Sequence, residues 1–97
     1  MSETTEQINI VFEPERSRSA AYIDGKEAGE CEFTAEGNIW SITHTGVDPA
    51  YGGRGIAKML VLKVIEEARK QQVKIIPVCS YAQRMMEGKG EYSDVLN

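Results

Sequence analysis

The feature that most constrains the fold is a change in hydrophobic periodicity at Asp48-Pro49, near the middle of the chain. Before this point, apolar residues tend to alternate with polar ones, which is the period of a half-buried β-strand. After it, apolar residues recur at helical spacing over about residues 55–72, and a short apolar run follows at 73–79. The sequence therefore predicts strands in the first half, then one long helix and one further strand.

The first half predicts an antiparallel meander, because its apolar runs are separated by short turn signals. Asp24-Gly25 favours a tight hairpin, and a second turn is predicted at 36–38. Alternation within the fourth strand predicts Trp40, Ile42 and His44 on one face. The predicted strands cover about residues 8–13, 20–23, 27–34 and 39–47.

The second half ends with a strand and a short helix. The strand at 73–79 is nearly continuous in apolar residues, which is typical of a strand covered on both faces. Pro77 has no N–H for a sheet ladder, so we expect one side of this strand to be unpaired at that point. Ser80 and Gln83 have the spacing of a capping box, so Ser80 is predicted to cap the final helix, and Gly88 is its predicted end.

Length, charge and cysteine content exclude several classes of protein. The 97 residues predict one domain, 1–97, and cannot hold a doubly wound dinucleotide fold or an eight-stranded α/β barrel. Eleven Lys and Arg against fifteen Asp and Glu give a formal charge of −4, which argues against a nucleic-acid-binding protein. The polar, acidic N-terminus predicts no signal peptide and flexibility over residues 1–7, and the apolar runs are too short for a membrane span. The two cysteines are expected to be free thiols of a cytoplasmic protein, and no cluster has metal-ligand spacing.

The glycine-dense segment before the long helix carries the strongest functional signal. Gly52, Gly53 and Gly55 allow the backbone to curl and to approach a ligand closely, and the loop runs into a helix N-terminus. Unpaired amides and the positive end of the helix dipole favour a phosphate or pyrophosphate there, and Arg54 and Lys58 add positive charge. The P-loop pattern is absent, and Lys58 occupies the position where a dinucleotide fingerprint needs its last glycine.

The same segment resembles motif A of the GCN5-related N-acetyltransferases: Gln or Arg, two variable residues, Gly, a variable residue, then Gly or Ala. Gly55-Ile56-Ala57 completes this motif, whereas Gly52 stands at the Gln or Arg position and lacks that side chain. Three further segments extend the resemblance to a family of small bacterial acetyltransferase-like proteins, over essentially the whole chain. Such proteins lack the N-terminal helices that usually help to hold the acceptor. The segments are Thr43-His44-Thr45, Pro77-x-Cys79-x-Tyr81 and Tyr92-x-Asp94-x-Leu96.

The resemblance implies an α+β fold with a mostly antiparallel five-stranded sheet, one long helix and one short C-terminal helix. Strands four and five are expected to splay apart, with the pantetheine arm of acetyl-CoA in the opening and the pyrophosphate on the glycine loop. The residues implied in cofactor binding are Thr45, Val47, Gly52, Gly53, Arg54, Gly55, Ile56, Ala57 and Lys58.

Three side chains are candidates for catalysis. Cys79 directly precedes the final helix, which favours a nucleophilic thiolate, and its alternative role is to pack the strand end. By the resemblance, Tyr81 would protonate the departing CoA thiolate, and its alternative role is that of a half-buried aromatic. His44 would be a general base, and alternatively a histidine bonded to neighbouring backbone. The fourth strand contains no carboxylate, although many acetyltransferases place a glutamate there.

The sequence thus predicts an acyltransferase that moves an acetyl group from acetyl-CoA to an amine or thiol of a small-molecule or protein acceptor. Either the acceptor attacks acetyl-CoA directly, or Cys79 is acetylated first. The alternatives are a non-catalytic acyl-CoA-binding or sensing module and a protein–protein adaptor without ligand. The expected partners are acetyl-CoA and the acceptor, without nucleic acid or membrane, and the expected state is a monomer or weak dimer.

Overall fold

The computed structural model describes residues 7–88 and 90–97. Most of the predicted flexible segment, residues 1–6, lies outside the described residues. Short 3-10 turns occupy Pro14–Arg16 and Pro49–Tyr51. The strands and helices are β1 (Ile8–Glu13), β2 (Arg18–Ile23), β3 (Lys26–Glu36), β4 (Ile39–Val47), α1 (Ile56–Gln71), β5 (Lys74–Pro77) and α2 (Ser80–Met86).

The five strands form one mixed sheet in the order β1-β2-β3-β4-β5. The first four pair antiparallel, and β5 lies parallel to β4 after the crossover through α1. The predicted α+β class, with one long helix and one short C-terminal helix, is confirmed.

The sheet opens between β4 and β5 at Pro77. Pairing of these strands runs from Ile39–Lys74 to Ile42–Pro77, where it ends. Beyond it, the amides of Val78 and Cys79 both donate to the carbonyl of Ile42, at 2.9 and 3.0 Å. Two successive amides on one carbonyl turn the chain away from the sheet, so β5 is shorter than predicted and the expected splay is confirmed.

The C-terminal tail covers part of the outer edge of β5. The amide of Ile75 donates to Val95, and the amide of Asn97 donates back to Ile75. This parallel bridge between Ile75 and Leu96 stops before Pro77. The tail therefore pairs with β5 only before Pro77, where the residues of β5 have an amide proton to donate.

The core lies between the sheet and the apolar face of α1. Three aromatic rings cluster at one end of it, and each contacts the other two: the ring centroids of Phe33 and Trp40 lie 4.4 Å apart, and that of Phe12 lies 5.8 Å from each of them. The apolar face of α1 is buried against the sheet. This burial removes apolar surface from water, which is the main source of stability for an amphipathic helix of this kind. The buried residues of α1 are Ile56, Leu60, Val61, Val64, Ile65 and Ala68.

A β-bulge in β4 changes the predicted orientation of the residues near the opening. Ile42 pairs with Phe33, but the next pair is His44 with Glu32, so Thr43 is an extra residue on β4. The alternation of side chains therefore reverses at this point. His44 shares the exposed outer face with Glu32, whereas Thr45 shares the face of α1 with buried Cys31. The prediction that His44 lies on the face of Trp40 and Ile42 is wrong, because simple alternation takes no account of an inserted residue.

The N-terminus of α2 also differs from the prediction. Cys79, with extended backbone (φ −71°, ψ 148°), is the N-cap residue, and its Sγ accepts a hydrogen bond from the Ala82 amide at 3.4 Å. Ser80 is the first helical residue, so its predicted capping role is wrong. The Gln83 amide group donates instead to the carbonyl of Val78 at 3.3 Å.

Candidate functional site

The glycine loop begins with a turn that is fixed by backbone hydrogen bonds. At the end of β4 the amide of Asp48 donates to Ala28 at 2.8 Å. The Asp48 carboxylate then accepts from the Ala50 amide at 2.9 Å, which starts the 3-10 turn at Pro49–Tyr51. The Gly52 amide closes this turn on the Pro49 carbonyl at 3.2 Å. The path of the chain into the loop is thus set before the glycines that follow.

Gly53 and Gly55 adopt the left-handed conformation, with φ of +79° and +75°. Residues with a Cβ atom rarely adopt this conformation, so the loop needs glycine at both positions. A Cβ atom built on either glycine would meet nothing within 4 Å. The backbone is therefore open to close approach by a ligand.

The loop leads into the exposed N-terminus of α1. The first intrahelical bond runs from the Met59 amide to the Gly55 carbonyl at 3.2 Å, so the amides of Ile56, Ala57 and Lys58 precede it. Gly55, the N-cap residue, has no side chain to cap them, and within residues 7–88 and 90–97 no acceptor is bonded to these three amides. This arrangement fits an anion such as a pyrophosphate, because the amides and the helix dipole both favour negative charge.

Positive side chains flank the same helix end. The Arg54 guanidinium lies over the Tyr51 ring, 5.3 Å from its centroid. Lys58 is exposed in the first turn of α1. The predicted residues at 52–58 are thus together in one loop and helix turn, in an otherwise acidic chain.

A second cluster lies at the opening between β4 and β5. The Thr45 hydroxyl is 3.6 Å from the Sγ of Cys31 on β3 and 3.5 Å from the Sγ of Cys79. Cys79 is half-buried, whereas Cys31 is fully buried, and burial raises the pKa of the Cys31 thiol to about 12. Cys31 therefore stays protonated, and Cys79 is the accessible sulfur of the pair.

Tyr81 lies in the first turn of α2, two residues after Cys79. Its side chain is partly buried and packs against the core. Within the part of the chain that the structure describes, no hydrogen bond is made to its hydroxyl. Tyr81 thus lies in the helix turn that Cys79 caps.

His44 belongs to a different cluster, on the outer face of the sheet. Its Nε2 lies 2.8 Å from the carboxylate of Glu30 on β3, and its side chain is 52% exposed. The pair borders an open cleft of about 500 Å³ that extends along β3 and the end of β4 to Pro49. A Cβ atom at Gly46 would come within 2.9 Å of Nε2, so this glycine gives the histidine room to meet the carboxylate.

The structure therefore brings Thr45 and Cys79 together but not His44. Glu30, the carboxylate that β4 itself lacks, was not predicted from sequence, because it comes from the neighbouring strand. The contact of Cys31 with Thr45 was not predicted either. The direct pairing of these two residues across β3 and β4 depends on the register, which no local pattern specifies.

The described residues hold neither a membrane-spanning helix nor a metal-binding cluster. Among the described residues no helix is long and apolar enough to cross a membrane. The same residues contain no group of three or more His, Cys, Asp or Glu side chains arranged to hold a metal ion.

A mixed sheet that splits between β4 and β5, with a glycine loop leading into α1, is the arrangement that the sequence resemblance to the GCN5-related N-acetyltransferases implies. The family model for GCN5-related N-acetyltransferases matches residues 18–95. Because this match covers most of the chain, the protein belongs to the GCN5-related N-acetyltransferase family. No curated protein matches the chain.

Solved structures show the same fold. A GCN5-like protein from Staphylococcus aureus, known from its solution structure, is 31% identical with a TM-score of 0.71, over 92% of this chain and 87% of that one. An acetyltransferase of this family from Brucella melitensis, solved with acetyl-CoA, is 22% identical with a TM-score of 0.57, over 71% of this chain and 51% of that one. An N-acetyltransferase from Thermoplasma acidophilum, solved with coenzyme A, is 21% identical with a TM-score of 0.54, over 58% of this chain and 35% of that one.

Proposed function

We propose that the protein binds acetyl-CoA and moves its acetyl group to a small amine or thiol, with Cys79 as the first acceptor. The observation that supports this most is the surroundings of the Cys79 sulfur at the opening between β4 and β5. The Ala82 amide donates to Sγ at 3.4 Å, and the Thr45 hydroxyl lies 3.5 Å away. An amide donor such as that of Ala82 stabilises a thiolate relative to a thiol, and the thiolate is the nucleophilic form.

Binding of acetyl-CoA is supported by the geometry of the loop and of the sheet edge. The open amides of Ile56, Ala57 and Lys58 would hold the pyrophosphate, with the positive charges of Arg54 and Lys58 beside it. The edge of β4 from Thr43 to Val47 has no strand partner on the β5 side among the described residues. Its backbone, including Thr45 and Val47, would bond the amides of the pantetheine arm.

The chemistry follows from the thioester that bound acetyl-CoA supplies. The Cys79 sulfur would bond to the acetyl carbon as the bond to the CoA sulfur breaks. The Tyr81 hydroxyl would give its proton to the CoA thiolate and regain one from solvent, to which His44 would release the proton that it takes from the acceptor. Attack by the amine or thiol acceptor on the acetylated cysteine would then release Cys79 as a thiolate.

His44 would act on the acceptor from the outer face. A carboxylate only accepts hydrogen bonds, so the contact with Glu30 fixes a proton on Nε2 and leaves Nδ1 of the neutral ring able to take a proton. An acceptor in the cleft beside His44 would lose its proton to Nδ1 as it attacks through the opening. Glu30 would hold the ring in this orientation.

A non-catalytic acyl-CoA-binding or sensing function is the second candidate. It is favoured by one observation, which is that His44 and Cys79 lie in separate clusters on opposite faces. Under this alternative the loop would bind acetyl-CoA in the same way, and Cys79 would only pack the strand end.

The two candidates are separated by intact-protein and peptide mass spectrometry after incubation with acetyl-CoA. We expect one acetyl group on Cys79, release of CoA thiol, and transfer to added amines or thiols. Cys79→Ala should abolish acetylation, whereas Ser80→Ala at the adjacent exposed position should not. Transfer to the acceptors without modification of Cys79 would overturn Cys79 as the first acceptor. An unmodified protein that binds acetyl-CoA but releases no CoA thiol with any acceptor would overturn catalysis in favour of the binding module, and absence of binding would overturn both.

A further inference from the structure

We propose that the free edge of the sheet at β1, together with the adjacent turns of α1, is a contact surface for a second copy of this chain. β1 is the first strand in the sheet order, so its outer side has no strand partner among the described residues. This edge lies at the other end of the sheet from the opening between β4 and β5. The proposal therefore does not depend on acetyl-CoA or on any of the candidate catalytic residues.

β1 lacks the features that usually prevent an exposed strand from pairing with another chain. Its six residues pair with β2 without a bulge, whereas the other two antiparallel pairs of the sheet each contain one. The strand has no proline or lysine, and its one charged residue, Glu13, accepts hydrogen bonds from Arg18 and Tyr22 of β2. Val11, on the face away from α1, is 38% exposed. A regular strand edge of this kind is a template for pairing with a further strand.

A groove of about 300 Å³ lies between this strand and α1. Its apolar lining residues are Ile10, Met59 and Leu62. Leu62 is 37% exposed and does not belong to the core, so packing within the chain does not account for a leucine at this position. Lys63 and Glu66 line the same groove and pair with each other at 3.4 Å. Contact with a second molecule would remove the exposed leucine from water.

The directions of the elements make this surface complementary to itself. Three successive antiparallel pairings make β1 run opposite to β4. α1 also runs opposite to β4, because it returns the chain from the end of β4 to the start of the parallel strand β5. A two-fold axis that pairs β1 antiparallel with its copy therefore sets the two α1 helices antiparallel as well.

The charges at the groove fit the same symmetry. Ile10, near the middle of β1, lines the groove with both Lys63 and Glu66, so one axis can pass the middle of the strand and run between the two charges. Lys63 of each copy then lies opposite Glu66 of the other, which gives two attractive contacts per dimer. The chain carries a charge of −4, so two copies repel each other overall, whereas this surface offers one charge of each sign. Charge complementarity and the free strand edge thus both favour a second copy as the occupant.

The test is sedimentation of the full chain in reducing buffer, over a concentration range that reaches about 1 mM, the weak end of specific affinities. Because a six-residue strand and about two helical turns form a small interface, we expect a weak dimer whose population rises with concentration. Lys63→Glu and Glu66→Lys each replace the two attractive contacts by repulsive ones and should weaken association roughly tenfold. An equimolar mixture of the two variants should dimerise as the unmodified protein does, because the contacts between unlike copies are attractive again. Arg84→Glu, the same change of charge at an exposed position of α2, should have no effect.

Amide hydrogen exchange of the unmodified protein at low and high concentration tests the strand contact separately. Alternate amides of β1 should become more protected as the dimer forms, because they gain partners on the second copy. A chain that stays monomeric over the whole range would overturn the proposal, as would association that leaves β1 unprotected. Variants that dimerise as well as the unmodified protein, or a mixture that associates no better than either variant alone, would also overturn it. Should either variant fail to fold, the exchange measurement decides.

Discussion

Replacing Gly55 with valine should have two separable effects, on the stability of the fold and on the binding of acetyl-CoA. Gly55 has φ of +75° and is the N-cap residue of α1. A residue with a Cβ atom in the left-handed region costs about 1–2 kcal/mol, so Gly55→Val should lower the free energy of unfolding by about that amount. Outside the two neighbouring residues, a Cβ atom at this position would meet nothing within 4 Å, so contact of the Cβ with the rest of the protein does not add to this cost.

The effect on binding comes from the same side chain, because it would stand in the open space beside the amides of Ile56, Ala57 and Lys58. Loss of one hydrogen bond to a charged group costs about 1.5–3 kcal/mol. Every 1.4 kcal/mol is tenfold in Kd, so we expect Kd for acetyl-CoA to rise roughly 10- to 150-fold.

Gly37 provides a matched control, because it also has a positive φ, +59°, and open space around its α carbon. It lies in the turn between β3 and β4, remote from the loop in sequence. Gly37→Val should lose a similar free energy of unfolding in urea and keep its affinity for acetyl-CoA in calorimetric titration. If both variants bind as the unmodified protein does, or if both lose affinity equally, the placement of the pyrophosphate on this loop is refuted.

Three further predictions concern other parts of the molecule. Glu30→Gln should slow acetyl transfer to an amine several-fold with an unchanged Kd for acetyl-CoA, because it removes the carboxylate that orients His44; equal rates in a steady-state assay would contradict this. Phe33→Ala removes one ring of the aromatic cluster, and loss of this buried side chain (6% exposed) should lower the free energy of unfolding in urea by about 3–5 kcal/mol. Hydrogen bonds from Tyr22 and then Arg18 hold the pKa of Glu13 below its usual value, so its contribution to stability is present above the unfolded-state pKa and is lost as pH falls through the lower folded-state pKa. Unfolding followed by circular dichroism from pH 6 to 3 should therefore show a smaller acid-induced loss for Glu13→Gln than for the unmodified protein.

The parts of the fold that sequence could predict are those determined by neighbouring residues. The bounds of β1 and β4 and the body of α1 follow from periodicity, and the open loop at 52–58 follows from its glycines and the helix after it. The early end of β5 could be anticipated from Pro77, which cannot continue a ladder. In each case the physical cause lies within a few residues of its effect.

The parts that could not be predicted depend on contacts between strands. The bulge at Thr43 is an inserted residue that leaves no mark on the apolar pattern, so the orientation of His44 was predicted wrongly. The pairing of His44 with Glu30 and of Thr45 with Cys31 depends on the resulting register. Ser80 is of a residue type that favours the N-cap position, and its spacing to Gln83 fits a capping box. The helix begins one residue earlier than this spacing predicts, so Cys79 is the N-cap residue.

The most direct test of the central claim is a residue-resolved titration of the protein with acetyl-CoA, followed through its backbone amide signals. We predict saturable shifts in two groups of residues, the loop and first helical turn at 52–58 and the opening of the sheet at Thr45, Val47 and Cys79. Signals in the β1–β2 hairpin should stay unchanged. Shifts confined to other surfaces, or no shifts at saturating acetyl-CoA, would contradict the account.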